Sequence, residues 1–166
     1  MPELMMIANA QHGIYCLVDL NEDAARRYKN VFASVASSRR GSAFLTMMAS
    51  FAEARERLES TIGLELNWDT YNAEPPNETA RTLARRILDS LEVISFPPTR
   101  VMPSVEGGIG LAFVEQDNRA DLEVYNTGEI AAVIYSALKA PETWTVPDTD
   151  RSLKTTIDRI RVHLAA

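Results

Sequence analysis

The chain has 166 residues, 46% of them hydrophobic, with a formal net charge of −6 and a sequence pI near 5.0. That length suits one domain, or one domain with a helical arm, and can bury a real core. The acidic balance disfavours a general nucleic-acid binder, whose phosphate contacts need a basic face, and the single cysteine, Cys16, leaves no internal disulfide or cysteine metal site and fits a reducing cytoplasm.

The start lacks a basic segment followed by a long apolar core, so no signal peptide is expected. No run reaches the roughly 18 apolar residues that a membrane span needs. Ile14-Tyr15-Cys16-Leu17-Val18 has the β-branched and aromatic character of a short strand, but it is short enough to belong to a helix. Asn21 with Glu22 and Asp23 reads as a helix start. Ala25, Tyr28, Phe32 and Val35 then mark one apolar helical face. Ser37-Ser38-Arg39-Arg40-Gly41-Ser42 reads as a break, either a solvated turn or a place where Arg39 and Arg40 touch phosphate or an acidic partner.

Ser42 reads as the cap of a second helix. Phe44, Met48, Phe51, Arg55, Leu58 and Ile62 fall on one stripe of it, widened by Leu45 and Met47. Such a stripe is core, or a dimerisation face built on Phe44, Met48 and Phe51, since methionine suits adaptable surfaces. Gly63 is placed to end the helix as a C′ glycine.

The stretch Asn67-Trp68-Asp69-Thr70-Tyr71-Asn72-Ala73-Glu74-Pro75-Pro76 separates residues 1–66, read as a helical part, from a mixed domain over 67–166. Asn67, Asp69 and Asn72 have short polar side chains that bond nearby backbone and favour turns. Trp68 and Tyr71 are amphipathic rings suited to plugging the junction of two layers. Alternatively the loop presents Asp69, Asn72 or Glu74 to a partner. Asn77 caps the next helix, with Glu78 in its first turn. Leu83, Ile87, Leu91 and Ile94 form its apolar face, while Arg81, Arg85 and Arg86 make a basic ridge outside it. Pro97-Pro98 ends it.

Residues 101–146 alternate as an antiparallel meander. Ile109, Leu111 and Phe113 share one face, as do Ala120, Leu122 and Val124, and then Ile130, Ala132 and Ile134. Asp117-Asn118 and Asn126-Thr127-Gly128 are turn signals. Val101 to Val105 and Trp144-Thr145-Val146 add outer strands. A last helix carries Leu153, Ile157, Ile160 and Leu164. The expected fold is α+β, with helices on one face of a four- or five-stranded antiparallel sheet.

The 67–76 stretch resembles the Asn-Trp-Asp-Gly-Tyr-Gly-Ala-x-Pro signature of a family of small bacterial and phage-borne proteins. In that family a helix follows, then a Pro-rich link, a Gly-Gly-Ile-x-Leu-Glu-Trp strand and a Leu-Glu-Ile/Val strand. Here Gly107-Gly108-Ile109-Gly110-Leu111-Ala112-Phe113 and Asp121-Leu122-Glu123-Val124 stand in that order. The resemblance covers roughly residues 64–135. It departs at Thr70 and Asn72, where the signature has glycine, and at Ala112-Phe113, where it has Glu-Trp. Thr70 and Asn72 therefore imply a different turn, or left-handed geometry tolerated by Asn72. The resemblance implies an accessory protein of a mobile element, in a toxin–antitoxin-like setting, and transfers no catalytic residue.

No metalloprotease His spacing, nucleophile elbow, phosphate loop or dinucleotide fingerprint occurs. The histidines, His12 and His163, lie near opposite ends. Gly107-Gly108-Ile109-Gly110 precedes a strand, so it lacks the helix N-terminus that would hold phosphate. Asp121 and Glu123 share a strand face and, with Asp69 or Glu74, could bind Mg²⁺ for phosphodiester hydrolysis. A Cys16–His12 nucleophile pair has nothing to orient the histidine.

Residues 101–150 carry nine acids and two bases, net −7, and residues 151–166 four bases and one acid, net +3. An acidic sheet face either keeps the protein soluble or engages a basic partner. The favoured expectation is a non-catalytic interaction module, antitoxin-like or immunity-like, that masks a basic protein. Its contact residues would be Trp68, Asp69, Tyr71, Asn72, Glu74, Asp121, Glu123 and Glu129. An anti-CRISPR-type inhibitor of a host defence complex, a metal-dependent hydrolase and a homodimer are the alternatives. No cofactor, metal, direct nucleic-acid contact or membrane association is expected.

Overall fold

A computed structural model of the chain describes residues 4–8, 15–19, 39–136 and 139–166. The chain divides into two compact units, Met1–Thr46 and Met47–Ala166. In the first unit, β1 (Leu4–Ala8) pairs antiparallel with β2 (Tyr15–Asp19). The run around Tyr15 to Val18 is thus strand, and the opening is not wholly helical. The helix expected over 21–36, and His12, lie outside the described residues.

Helix α1 (Arg39–Ser60) crosses the division and is followed by a 3-10 turn, Thr61–Gly63. Arg39, Arg40, Gly41 and Ser42 lie inside α1, so Ser42 does not cap it. Its backbone carbonyl instead accepts from the Thr46 hydroxyl at 3.0 Å, one turn on. Gly63 does not terminate α1 in a left-handed conformation either. The chain leaves the 3-10 turn through Leu64, which is extended at φ −76° and ψ 136°.

The second unit is an α+β layer structure, as the alternating strand pattern requires. Helix α2 (Glu78–Val93) begins where Asn77, extended at φ −87°, accepts from the Ala80 amide at 3.0 Å. It ends in a Schellman motif. Phe96 N donates to Leu91 O at 3.0 Å and Ser95 N to Glu92 O at 3.0 Å, with Ser95 left-handed at φ 56°. The chain therefore reverses at Ser95, before Pro97-Pro98 is reached.

Five antiparallel strands follow in sequence order: β3 (Arg100–Ser104), β4 (Gly108–Glu115), β5 (Asn118–Tyr125), β6 (Ile130–Ser136) and β7 (Lys139–Val146). The registers Ile109↔Val124, Leu111↔Leu122 and Phe113↔Ala120 put the alternating apolar residues on one face. Ile130↔Val124 and Ala132↔Leu122 continue it. The β4–β5 turn is Gln116-Asp117, one residue earlier than its sequence signal, with Gln116 at φ 52°. The outermost strands β3 and β7 carry Pro103 and Pro141. Opposite Tyr135, β7 places Ala140 and Pro141 together, a bulge between the Ile134↔Glu142 and Ser136↔Lys139 pairs.

Helix α3 (Asp150–Leu164) starts at Thr149, whose hydroxyl accepts from Ser152 N at 3.2 Å. It packs with α2 and the 47–60 part of α1 on the apolar sheet face. Phe51, Ala54 and Leu58 of α1 join Ile87, Leu88 and Leu91 of α2 and Leu153, Ile157 and Ile160 of α3 in one core. Phe96 stacks on Phe113 with centroids 5.0 Å apart. Trp144 is held by a bond from its indole N–H to Thr156 Oγ1 at 3.3 Å and by the Arg159 guanidinium 3.9 Å above its ring. His163 Nε2 bonds the Tyr135 carbonyl at 2.8 Å, so this ring has a structural partner.

The basic ridge of α2 is spent on internal pairs. Arg81 binds Glu78 and Pro76 O, Arg85 binds Glu59 of α1 at 2.9 Å, and Arg86 binds Asp148. Arg55, the charge within the α1 stripe, bridges to Asp89 at 2.8 Å and Glu92 at 2.6 Å. The Arg85 hydrogen bond holds the Glu59 carboxyl below its ordinary range. The Arg85 and Arg55 pairs tie α1 to α2 from the wet side, while the apolar residues tie them from within.

Candidate functional site

The 67–76 loop is built from side chains that bond their own backbone. Asn67 Oδ1 accepts from Asn72 N at 2.8 Å, and Asn67 N donates to Ala73 O at 3.0 Å. Asp69 Oδ1 accepts from Tyr71 N at 2.8 Å and from Ala73 N at 3.0 Å. This closure leaves Asn67, Thr70 and Asn72 left-handed, at φ 67°, 69° and 68°. Asn72 tolerates that conformation, as expected from its short amide. Thr70 adopts it too, and a β-branched residue there is strained.

Thr70→Gly is accordingly expected to raise the unfolding free energy by about 1 kcal/mol, because it removes a Cβ from a left-handed site. Urea denaturation of the two proteins measures this. A less stable glycine variant would mean that the threonine side chain outweighs its backbone strain.

Because carbonyl and carboxylate groups close the loop, ring burial is not needed to close it. Trp68 is half-buried and donates from its indole N–H to Glu74 O at 3.4 Å. Tyr71 is 85% exposed, so it is not a plug. Ala73 and Pro76 fill the interior of the junction instead. Asp69 and Asn72 are engaged with the loop itself, Asp69 through its carboxylate and Asn72 through its backbone N–H, which makes Asp69 a brace here.

One residue that the sequence marks only as turn punctuation joins this loop to the sheet. Asn126, in the β5–β6 turn, donates from Nδ2 to Pro75 O at 3.0 Å. Its Oδ1 accepts from Asn77 N at 2.8 Å, and its backbone carbonyl accepts from Asn77 Nδ2 at 2.9 Å. Its backbone N–H donates to Gly107 O at 3.0 Å. The loop, the start of α2, the β3–β4 turn and the β5–β6 turn therefore meet at Asn126. The sequence signal was present, since an Asn-x-Gly turn places an amide where it can bond two chains, but its partners are set by tertiary contacts.

Four carboxylates gather at this end of the sheet. Glu74 lies over the β3–β4 turn, its Cβ only 3.6 Å from where a Cβ on Gly107 would stand. Glu106 is in that turn, and its backbone N–H donates to Ser104 Oγ at 3.2 Å. Glu123 accepts from the Ser104 hydroxyl and from Tyr125 Oη at 3.1 Å. Glu129 follows the β5–β6 turn and accepts from Thr145 Oγ1 at 3.4 Å. Burial, then the charge and hydrogen bond of Glu123, and then the charges of Glu106 and Glu129 push the Tyr125 phenol up to about 12. Among the described residues, none of these four carboxylates is in an ion pair.

Asp121 does not join this corner. It is paired with Arg119 at 3.0 Å, which itself lies 5.3 Å from the Tyr135 ring centroid. Asp121 and Glu123 share the sheet face away from the helices, but they turn to different partners, and Asp69 is occupied by backbone. Among the described residues, no group of three or more His, Cys, Asp or Glu side chains is arranged to hold a metal ion. Of the three residues expected to form a dimer face, Phe51 is 1% exposed and belongs to the core, so it is not available to a second copy. Met48 is half-buried and Phe44 is 37% exposed.

Comparison of the chain with protein-family models, with curated proteins and with solved structures gave no match. No helix among the described residues is long and apolar enough to cross a membrane.

Proposed function

We propose that this chain is a non-catalytic protein-interaction module, an antitoxin-like or immunity-like accessory protein that binds and masks a basic partner. The observation that supports it most is the junction at Asn126. It fixes the 67–76 loop against two acidic turns, so an exposed Tyr71 and the carboxylates of Glu74, Glu106, Glu123 and Glu129 belong to one braced corner. Preorganised aromatic and charged groups bind with less ordering cost than mobile ones. Carboxylates without cationic partners attract and orient a basic surface. The mobile-element setting rests on the resemblance carried by residues 67–76.

The test compares the tagged wild-type chain with Tyr71→Ala and with the triple variant Glu74→Lys, Glu106→Lys, Glu129→Lys in pull-downs from the natural host. The expected result is a basic protein retained by the wild type. Tyr71→Ala should weaken its binding about tenfold or more, an effect of roughly 1.4 kcal/mol or above. The triple variant should abolish binding while melting like the wild type. If both folded variants retain the same proteins as the wild type, the reading fails. Retention of a nuclease or defence complex, lost in the variants, would favour the inhibitor form of the same reading.

A further inference from the structure

A second feature lies within the 47–166 unit and is independent of the acidic corner. A cavity of about 550 Å³ opens between α1, the Pro97-Pro98 link and the start of β3. That volume is in the range of small-molecule sites. Half-buried Pro97 forms its apolar wall, backed by buried Ala54, Pro98 and Val101. Glu53, Arg57 and Arg100 also line it. The chain as a whole is acidic at −6, yet this cavity gathers two guanidiniums against one carboxylate.

The two arginines differ in availability. Arg57 is paired with Glu53 at 3.4 Å, with the side chains 58% and 67% exposed. A solvent-exposed helical pair of that kind is weak, so a ligand can displace it. Arg100 makes no ion pair among the described residues. Guanidinium presents paired N–H donors that match a carboxylate or a phosphate edge. An apolar wall beside such donors suits a ligand with a hydrophobic body and an anionic end.

We propose that this cavity is a binding site for a small organic anion, held through its carboxylate or phosphate by Arg100 and Arg57 and through its apolar body by the open face of Pro97. Arg100 carries the larger share, because it has no competing partner among the described residues.

The experiment titrates the full chain with benzoate, phenyl phosphate and the neutral benzyl alcohol, and follows backbone amide shifts by nuclear magnetic resonance. Benzoate or phenyl phosphate should shift amides of residues 50–57 and 99–101 saturably, and benzyl alcohol should not. The stronger of the two anions identifies the headgroup. Arg100→Ala should weaken the stronger anion about tenfold or more, and Arg57→Ala less, with the shift map of the free protein otherwise retained. Arg100 is exposed, so its replacement leaves the core intact. The site is disproved if neither anion gives a saturable shift up to about 10 mM. It is equally disproved if the anions bind Arg100→Ala as tightly as the wild type, or if benzyl alcohol binds as well as they do.

Discussion

Phe51→Ala is expected to cost about 3–5 kcal/mol of unfolding free energy, a large part of the 5–15 kcal/mol that a domain usually has. The ring is 1% exposed and belongs to the core shared by all three helices and the sheet. Its loss removes the transfer free energy of the ring and leaves a cavity that rigid neighbours cannot fully close. Urea titration should show a lower midpoint with an unchanged slope, which separates lost stability from a changed unfolded state. Phe51→Glu should fare worse, since it buries a charge without a partner. Either variant would therefore report unfolding in an assay of subunit association. A Phe51→Ala protein within about 1 kcal/mol of the wild type would place this residue outside the core.

Gly108→Ala is the second large effect. Gly108 opens β4 at φ 151°, and a Cβ there would stand 2.1 Å from Val124 O and 2.9 Å from Tyr125 Cα. Both neighbours are backbone, so no side chain can swing away. The ladder between β4 and β5 has to spread, at a cost of about 1–3 kcal/mol for the backbone conformation and a similar amount for the overpacking. The damage should extend to the acidic corner, because Asn126 hangs from the Gly107 carbonyl next door. Gly110→Ala is the control on the same strand. Its nearest atoms would be 3.7 Å and 3.8 Å away, ordinary contact distances. Thermal melts of the pair should differ by well over the scatter of replicate measurements. Equal melting temperatures would contradict the close approach at Gly108.

The sheet was legible because its strands alternate. Leu111, Leu122 and Ala132 stand side by side across three strands, and each was assigned to the apolar face by period alone. The Asn77 cap and the last helix were equally open to reading, since capping and helical spacing are local rules. The start of α1 was not. Gly41 and Ser42 look like a stop, but α1 (Arg39–Ser60) runs through them, as a helix tolerates one glycine at modest cost. Tyr71 departs from the plug expectation for a different reason. Aromatic residues in turns are usually buried, and only the bonds from Asn67 and Asp69 show that the loop closes without its help. Of the candidate site, Glu74, Glu123 and Glu129 were found as acids, but Glu106 and Asn126 were not. What makes those two matter is a junction between segments about 50 residues apart, and no local period records that.

Proline at both margins of the five-stranded sheet has a consequence for what can be added to it. A fresh strand joins a sheet by bonding to the outward amides of its last member. Pro103 and Pro141 have no amide hydrogen to offer, and the β7 bulge further disturbs the row of donors and acceptors beside Pro141. Peptide capture by strand extension is therefore disfavoured on either flank, and so is the stacking of one copy's sheet onto another's into fibres. Contacts made by this sheet therefore have to run through side chains on its faces and turns, where shape and charge are already fixed by the fold.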